Sequence, residues 1–510
     1  MSTTATTLVA PSAPAAARTL PLWVLQGVAV YFLGLQLCLI ALLGPHGDEA
    51  YYWIWGQHPQ LSYFDHPPLH AWMQAAVSAV LGWSVLSMRA LTFVTTALTL
   101  WVFYVWARRL AGSAWQRSFW LGTAVYFATP MMLFYSTVAV HDRVLIVLTM
   151  LSVHFFALFF ADWSGERRDR VWPLYVGALF LGLAALTKYN AIFLGLGVGL
   201  TVLVRRDLRS LLTSPHLYLA ALLSVAMQFP TLYWNATEGF ASFRFHLEER
   251  QHGLSLQHLS FGSFITFVRE SAVFFSPVMV IPLWRLLFRP AGADQQGMIV
   301  ELGKWVLVTS TLAMLGLSAM MYAHFYWNIV AYVVFFAVAH RFMAERWLQI
   351  AHFAYGFLVG TALVLNFTLT PFLSTIGIPE NQAFRMYGWD VVAARVAEFK
   401  TRYDADFVAA PDYLPAALVG FALKDPNVPA ITERVDAYDF WFDESRFLGK
   451  DAIIVADRGF NVDYVRRFFA SVEEIETVEI RRFVRLLNTV HLYIARDYGP
   501  IDSHTPAVAP

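Results

Sequence analysis

Long apolar runs separated by short polar breaks dominate the first 370 residues of this 510-residue chain. A run of about 20 apolar residues is long enough to cross a bilayer as a helix. The runs predict spans at roughly 22–43, 88–107, 118–137, 144–162, 173–187, 190–204, 215–234, 271–288, 305–323, 327–343 and 348–369, eleven in all. The pair 173–187 and 190–204 is short, with Lys188, Tyr189 and Asn190 at the turn between them. Basic residues gather in five breaks: Arg108, Arg109 and Arg117; Arg167, Arg168 and Arg170; Arg205, Arg206 and Arg209; Arg285, Arg289 and Lys304; Arg341 and Arg346. Lys and Arg are enriched in cytoplasmic loops. Eleven spans place all five clusters inside, with the N-terminus inside and the C-terminal end outside.

After Thr370 the pattern changes, and no later apolar run is long enough to span. A helix near Val391–Tyr403 precedes a strand at Phe407–Ala410 and a helical stretch at Tyr413–Leu423. Val428–Ile431, Ala452–Ala456, a helix near Val462–Phe469 and two β-like runs up to Ile494 follow. Alternating strands and helices predict a small α/β domain. The expected organisation is a disordered cytoplasmic tail (1–20), a polytopic α-helical membrane domain (21–370), a periplasmic α/β domain (371–498) and a disordered tail (499–510). The segment before the first run is rich in Ser, Thr, Ala and Pro. Its small residues precede the run rather than follow it, which predicts an uncleaved first span.

Composition agrees: 58% of residues are hydrophobic and 14% charged, against about 25% charged in a soluble domain. Thirty-six basic and 36 acidic residues cancel, leaving no electrostatic footprint for nucleic acid. The one cysteine, Cys38, lies in the first apolar run, so the chain by itself has neither a disulfide framework nor a cysteine metal site. No internal repeat of the secondary-transporter kind is visible, and no glycine-rich phosphate loop is present.

Chemistry concentrates in the first outer loop, 44–87, which is too long for a simple turn. Its stretch GPHGDEAYYWIWGQHPQLSYFDHPPLHAW places Asp48, Glu49, Asp65 and four histidines among Tyr and Trp side chains, with Pro67-Pro68 stiffening the backbone. The moderately apolar segment 68–86 predicts helices lying along the interface. A carboxylate fixed here can take a proton from an acceptor hydroxyl or neutralise a divalent cation. His66, beside Asp65, could contact a phosphate oxygen or a metal. The second outer loop holds His141-Asp142-Arg143 with almost no linker, and charges at that depth are costly unless paired or functional. Asp142 can complete an acidic cluster with Asp48, while Arg143 can pair with Asp142 or reach a phosphate. Lys188 is a further cation at the boundary, and Arg244 and Arg250 lie in a third outer loop. A divalent metal is the one cofactor this set suggests, with Asp48, Asp142 and His66 as ligands. Nearby cations at a lipid boundary suit a lipid-phosphate substrate whose tail lies between helices. Without a nucleotide motif, the energy for transfer must come from that substrate.

Asp48-Glu49-Ala50-Tyr51-Tyr52-Trp53, followed by Tyr63-Phe64-Asp65-His66-Pro67-Pro68, resembles the first outer loop of bacterial GT-C glycosyltransferases. The nearest group includes the lipid A aminoarabinose transferase and relatives of the protein O-mannosyltransferases. Thr187-Lys188-Tyr189 extends the resemblance, which covers the whole membrane part. It implies a polyprenyl-phosphate-sugar donor, inverting transfer to an acceptor on the periplasmic face of the inner membrane, and lipid A or lipopolysaccharide core as acceptor. It also implies catalytic roles for Asp48, Glu49 and Asp142. Substrate contacts are expected from Tyr63, Asp65, His66, Arg143, Lys188, Arg244 and Arg250. Where the family often has an acid and a lysine before the proline, this chain has Asp65-His66, and Lys188, Arg143, Arg244 or Arg250 could supply the phosphate contact of that lysine. Transfer to a protein hydroxyl or a cell-wall polymer, movement of a polyprenyl-linked sugar across the membrane, and a non-catalytic membrane subunit are the competing readings.

Overall fold

A computed structural model describes residues 19–165, 167–246, 259–369, 371–372, 385–482 and 485–500. Among the described residues, twenty-one α-helices run in chain order. Those that build the site are α1 (Leu22–Leu42), α2 (Gly47–Gln57), α3 (Leu69–Leu81), α4 (Val85–Met88) and α5 (Ala90–Leu110). They are followed by α6 (Trp115–Ala128), α7 (Pro130–Tyr135), α8 (His141–Ser164), α9 (Trp172–Thr187) and α10 (Ile192–Val204).

Helices occupy every predicted apolar run, but not all are long enough to span. Leu22–Leu42, Val85–Leu110, His141–Ser164, Gln295–Ser318 and Arg346–Thr368 are five helices of sufficient length and apolarity. Three bent pairs, with angles of 46°, 94° and 67°, raise the number to eight. The predicted span 118–137 is broken at Pro130, which lacks an N–H for the helical ladder and starts α7 instead. Helix α6 has 14 residues, about 21 Å of rise against a hydrocarbon core of about 30 Å. Helices α9 and α10 are also short, and they part at Lys188 as expected. Among the described residues, five to eight helices or bent pairs thus meet the length and composition of a span, against the eleven spans expected. The protein is a multi-pass membrane protein.

Helix α8 is the best-buried of the five. Its apolar side chains continue around the whole circumference, which is the pattern of a helix enclosed by others. Leu145, Met150, Val153, Ala157 and Phe160 join a core shared with Val300, Val306, Val330 and Val338.

The C-terminal domain forms one four-stranded sheet in the order β1-β2-β4-β3, from Phe407–Ala409, Ala452–Asp457, Arg485–Tyr498 and Phe469–Arg482. Strands β1 and β2 are parallel, and the other pairs antiparallel. The predicted α/β character holds. Val392 and Val396 of α20 (Trp389–Arg402) and Ala416 and Val419 of α21 (Tyr413–Leu423) form a core with Ile453, Val455 and Leu492 of the sheet.

The same core takes in Ala50, Trp53 and Ile54 of α2, so the first loop is built into the C-terminal domain. A side chain at Gly47 would meet Leu414 Cδ2 at 2.4 Å. One at Gly56 would approach the Ala75 backbone at 2.9 Å. Glycine at these positions lets α2 lie close to both α21 and α3. His58 stacks on Trp441 with ring centroids 4.7 Å apart, and Trp83 Nε1 donates to the Phe421 carbonyl at 2.9 Å.

Candidate functional site

A cavity of about 1010 Å³ opens where the first loop, the second loop and the C-terminal domain meet. Asp48, Asp65, His66, Asp142 and Lys188, all singled out in the sequence, line it. Tyr51, Tyr52, Tyr135, Tyr326 and Tyr413 add hydroxyl-bearing rings, and Arg434 and Glu433 enter from the C-terminal domain.

Asp48 occupies the first turn of α2, where an acid complements the positive end of the helix dipole. The turn is closed reciprocally. His46 Nδ1 accepts from the Asp48 N–H at 3.2 Å, and Glu49 Oε2 accepts from the His46 N–H at 3.0 Å. The Asp48 carboxylate is left partly exposed toward the cavity, 3.8 Å from His46 Nδ1.

Its neighbour Glu49 turns the other way and does not line the cavity. Arg89 donates Nε to Oε1 at 2.9 Å and a terminal nitrogen to Oε2 at 2.6 Å. It also donates to the carbonyls of Leu43 and Gly44. Ala139 N–H donates to Oε1 at 2.5 Å. Both side chains are fully buried. Burial by itself pushes the Glu49 carboxyl up, but the Arg89 charge and the hydrogen bonds outweigh it and hold the group below the usual carboxylate range. Glu49, for which the resemblance implied a catalytic role, is thus turned from the cavity and ties the start of α2 to Arg89 and the second loop.

Asp142 and Lys188 face each other across two helix ends. Asp142 sits in the first turn of α8, and Lys188 is the residue that ends α9. Each charge suits the dipole of its own helix. Lys188 Nζ donates to Asp142 Oδ1 at 2.8 Å and Oδ2 at 2.9 Å, and lies 5.3 Å from the Tyr326 ring centroid. Arg143, one residue on, points elsewhere. It is buried, donates to Thr92 Oγ1, and does not line the cavity.

Asp65 links the loop to the C-terminal domain. Tyr51 Oη donates to Asp65 Oδ2 at 2.9 Å and accepts from the Ala437 N–H at 2.9 Å. Arg434 approaches Asp65 Oδ1 at 3.5 Å. Burial, then the Asp65 and Asp436 charges, push the Tyr51 phenol far above its usual range, so it remains a donor. Burial lowers the Arg434 guanidinium, but Asp65 and the surrounding groups more than restore it.

The other expected contacts disperse. Tyr63 stacks on Trp55 (4.7 Å, 10°) and donates to the Trp55 carbonyl at 3.0 Å, away from the cavity. Arg244 is exposed and lies off the cavity. Arg250 lies outside the described residues. Asp48, Asp142 and His66, expected to hold a divalent metal, line one cavity. Among the described residues, however, no three His, Cys, Asp or Glu side chains converge as ligands, and Asp142 is engaged through both oxygens by Lys188. His66 instead packs against His141, which in turn packs against Tyr52 (4.4 and 4.2 Å). The sequence pattern carried no signal for Arg89 or Arg434, each of which reads as an ordinary surface arginine.

A second, mostly apolar cavity of about 410 Å³ adjoins the first and shares His66, Lys188 and Trp327 with it. Ile192, Phe193, Met314 and Leu317 supply its walls.

Over 92% of this chain, the structure superposes on that of ArnT from Cupriavidus metallidurans bound to undecaprenyl phosphate, covering 98% of that chain with a TM-score of 0.57 and 16% identity. The chain shares the fold of that ArnT. The apo form of the same ArnT superposes with a TM-score of 0.55, 17% identity and coverage of 92% of this chain and 97% of that one. The family model described as dolichyl-phosphate-mannose-protein mannosyltransferase matches residues 65–234, which include Asp65, Asp142 and Lys188. The lipid A galacturonosyltransferase RgtD of Rhizobium johnstonii is 25% identical over 388 residues, covering 74% of this chain and 78% of that relative. The resemblance to GT-C transferases that modify lipid A, read from the first loop, holds.

Proposed function

We propose that the chain is an integral membrane glycosyltransferase that moves a sugar from a polyprenyl-phosphate donor to lipid A or the lipopolysaccharide core at the periplasmic face. One observation carries this reading: Lys188 stands where a polar cavity lined by carboxylates joins an apolar groove between helices. A lipid phosphate fits that junction, with its phosphate at Lys188, its sugar toward Asp48 and its tail along Ile192, Phe193 and Met314. The relatives support the chemistry, one being a lipid A galacturonosyltransferase and another an ArnT bound to undecaprenyl phosphate.

In this reading the acceptor oxygen attacks the anomeric carbon while the bond to the phosphate oxygen breaks, inverting the sugar. Asp48 orients the acceptor hydroxyl and takes its proton. The leaving polyprenyl phosphate carries away the bonding electron pair, and the Lys188 ammonium stabilises its charge. Asp142 holds that ammonium in place, and Asp65 with Arg434 shapes the opposite wall.

The test uses purified protein reconstituted in lipid with labelled polyprenyl-phosphate sugars and an envelope-lipid acceptor. Label passing into lipopolysaccharide with wild type but not Asp48→Asn supports the proposal. Labelled donor crossing the bilayer intact overturns it in favour of a transporter.

A further inference from the structure

A separate pocket of about 440 Å³ lies between the second half of α5 and the middle of α8, beside the start of α9. Among the described residues, Arg108, Arg109, Arg170 and His154 line it, and no acidic side chain does. From Arg89, beside the first loop, to Arg108 is 19 residues of α5, about 29 Å of rise. That is close to the thickness of a bilayer core. The pocket therefore opens at the opposite membrane face, on the side the basic clusters assign to the cytoplasm.

Tyr104, Phe155 and Trp172 add aromatic rings beside the cations, and Arg170 packs over the Trp172 ring at 5.3 Å. Two of the arginines are not consumed by ion pairs. Arg108 packs over Trp115 at 4.9 Å, and neither it nor Arg109 forms a salt bridge among the described residues. Arg170 shares Asp162 with Arg167, at 3.0 and 2.8 Å, so even this acid is outnumbered. His154 Nδ1 accepts from Trp106 Nε1 at 3.1 Å, which leaves Nε2 as the N–H of the neutral ring.

We propose that this pocket binds an anionic glycerophospholipid, its phosphodiester among Arg108, Arg109 and Arg170 and its acyl chains along Tyr104, Phe155 and Trp172. Charge complementarity selects the occupant. Arg108 and Arg109, which have no carboxylate partner among the described residues, beside aromatic rings match a lipid with a negative headgroup, and a zwitterionic one leaves them uncompensated. The site is independent of the transfer reaction, and its test does not depend on activity.

The full chain in a neutral detergent would be titrated with phosphatidylglycerol, phosphatidylcholine or inorganic phosphate and read by native mass spectrometry. Phosphatidylglycerol is expected to bind with clear preference over phosphatidylcholine. The double variant Arg108→Gln, Arg109→Gln should weaken it about 25-fold, from a factor of about five per basic residue at an anionic surface. Arg206→Gln with Arg209→Gln, from another basic cluster on the same side, should leave it unchanged. Equal affinity for the two lipids, equal loss in both double variants, or inorganic phosphate displacing the lipid from wild type and pocket variant alike would each overturn the proposal.

Discussion

Lys188 Nζ lies 2.8 and 2.9 Å from the two carboxylate oxygens of Asp142, joining the end of one helix to the start of another 46 residues earlier in the chain. Each side chain is nearly buried, 6% and 4% exposed. Removing one member of a buried pair leaves the other uncompensated, typically at a cost of 3–5 kcal/mol. This pair faces a cavity, so the low end, about 3 kcal/mol, is expected for Asp142→Ala. Replacing both together (Asp142→Ala with Lys188→Met) should cost less than the sum of the single changes. Thermal unfolding of the four proteins checks this, and additive losses would show that the two charges are not coupled.

Asp48→Asn should fold like wild type and lose about 100-fold or more in transfer rate, the scale of a general base. Its side chain makes only a long contact with His46, so little stability rests on its charge. Turnover of wild-type magnitude in a reconstituted assay would end the assignment.

Glu49→Gln should act through the fold. The buried Arg89 would lose its counter-charge, with a destabilisation of about 3–5 kcal/mol. The folded carboxyl is held below its ordinary value of 4.5. The stability it contributes is therefore present above about pH 4.5 and is lost as pH falls through the lower folded value. Unfolding curves between pH 3 and 7 should show a steeper acid loss in wild type than in the variant.

Asp412 shows the opposite sign. Burial raises its carboxyl to about 6, and the Leu414 N–H and the Arg434 charge only partly offset this. The protonated form is favoured on folding, so its contribution is complete below about 4 and disappears as pH rises through 6. Asp412→Asn keeps the cap on α21, because an amide oxygen can accept from the Leu414 N–H as the carboxylate does. It should stabilise the protein by on the order of 1–3 kcal/mol at pH 7.5 and hardly at all at pH 4. A melting-temperature gain at both pH values would contradict this.

Arg434→Ala separates substrate contact from stability. The guanidinium is half exposed and 3.5 Å from Asp65, and such ion pairs contribute about 0–1 kcal/mol. Because Arg434 lines the cavity, loss of a charged hydrogen bond to substrate should raise a KM about tenfold or more while the melting temperature hardly moves. An unchanged KM for donor and acceptor would remove Arg434 from the site.

The chain by itself determined that this is a polytopic helical membrane protein with an α/β domain after the apolar runs, and it singled out Asp48, Asp65 and Asp142, which line one cavity. Length and apolarity of a run are local properties, and a dense polar-aromatic loop stands out against apolar surroundings. Run length does not register Pro130 breaking a helix or the 94° bend before Pro277, both of which the tertiary structure supplies. Only the tertiary structure decided which charge meets which. Glu49 and Asp48 are adjacent in the chain, yet the first turn of α2 aims one at Arg89 and the other at the cavity. Arg143 is adjacent to Asp142, but Lys188 is the residue that pairs with it. Arg434 reaches Asp65 across 369 residues. Helical geometry turns successive side chains about 100° apart, and packing brings distant elements together, so neither outcome is written in the local pattern of residues.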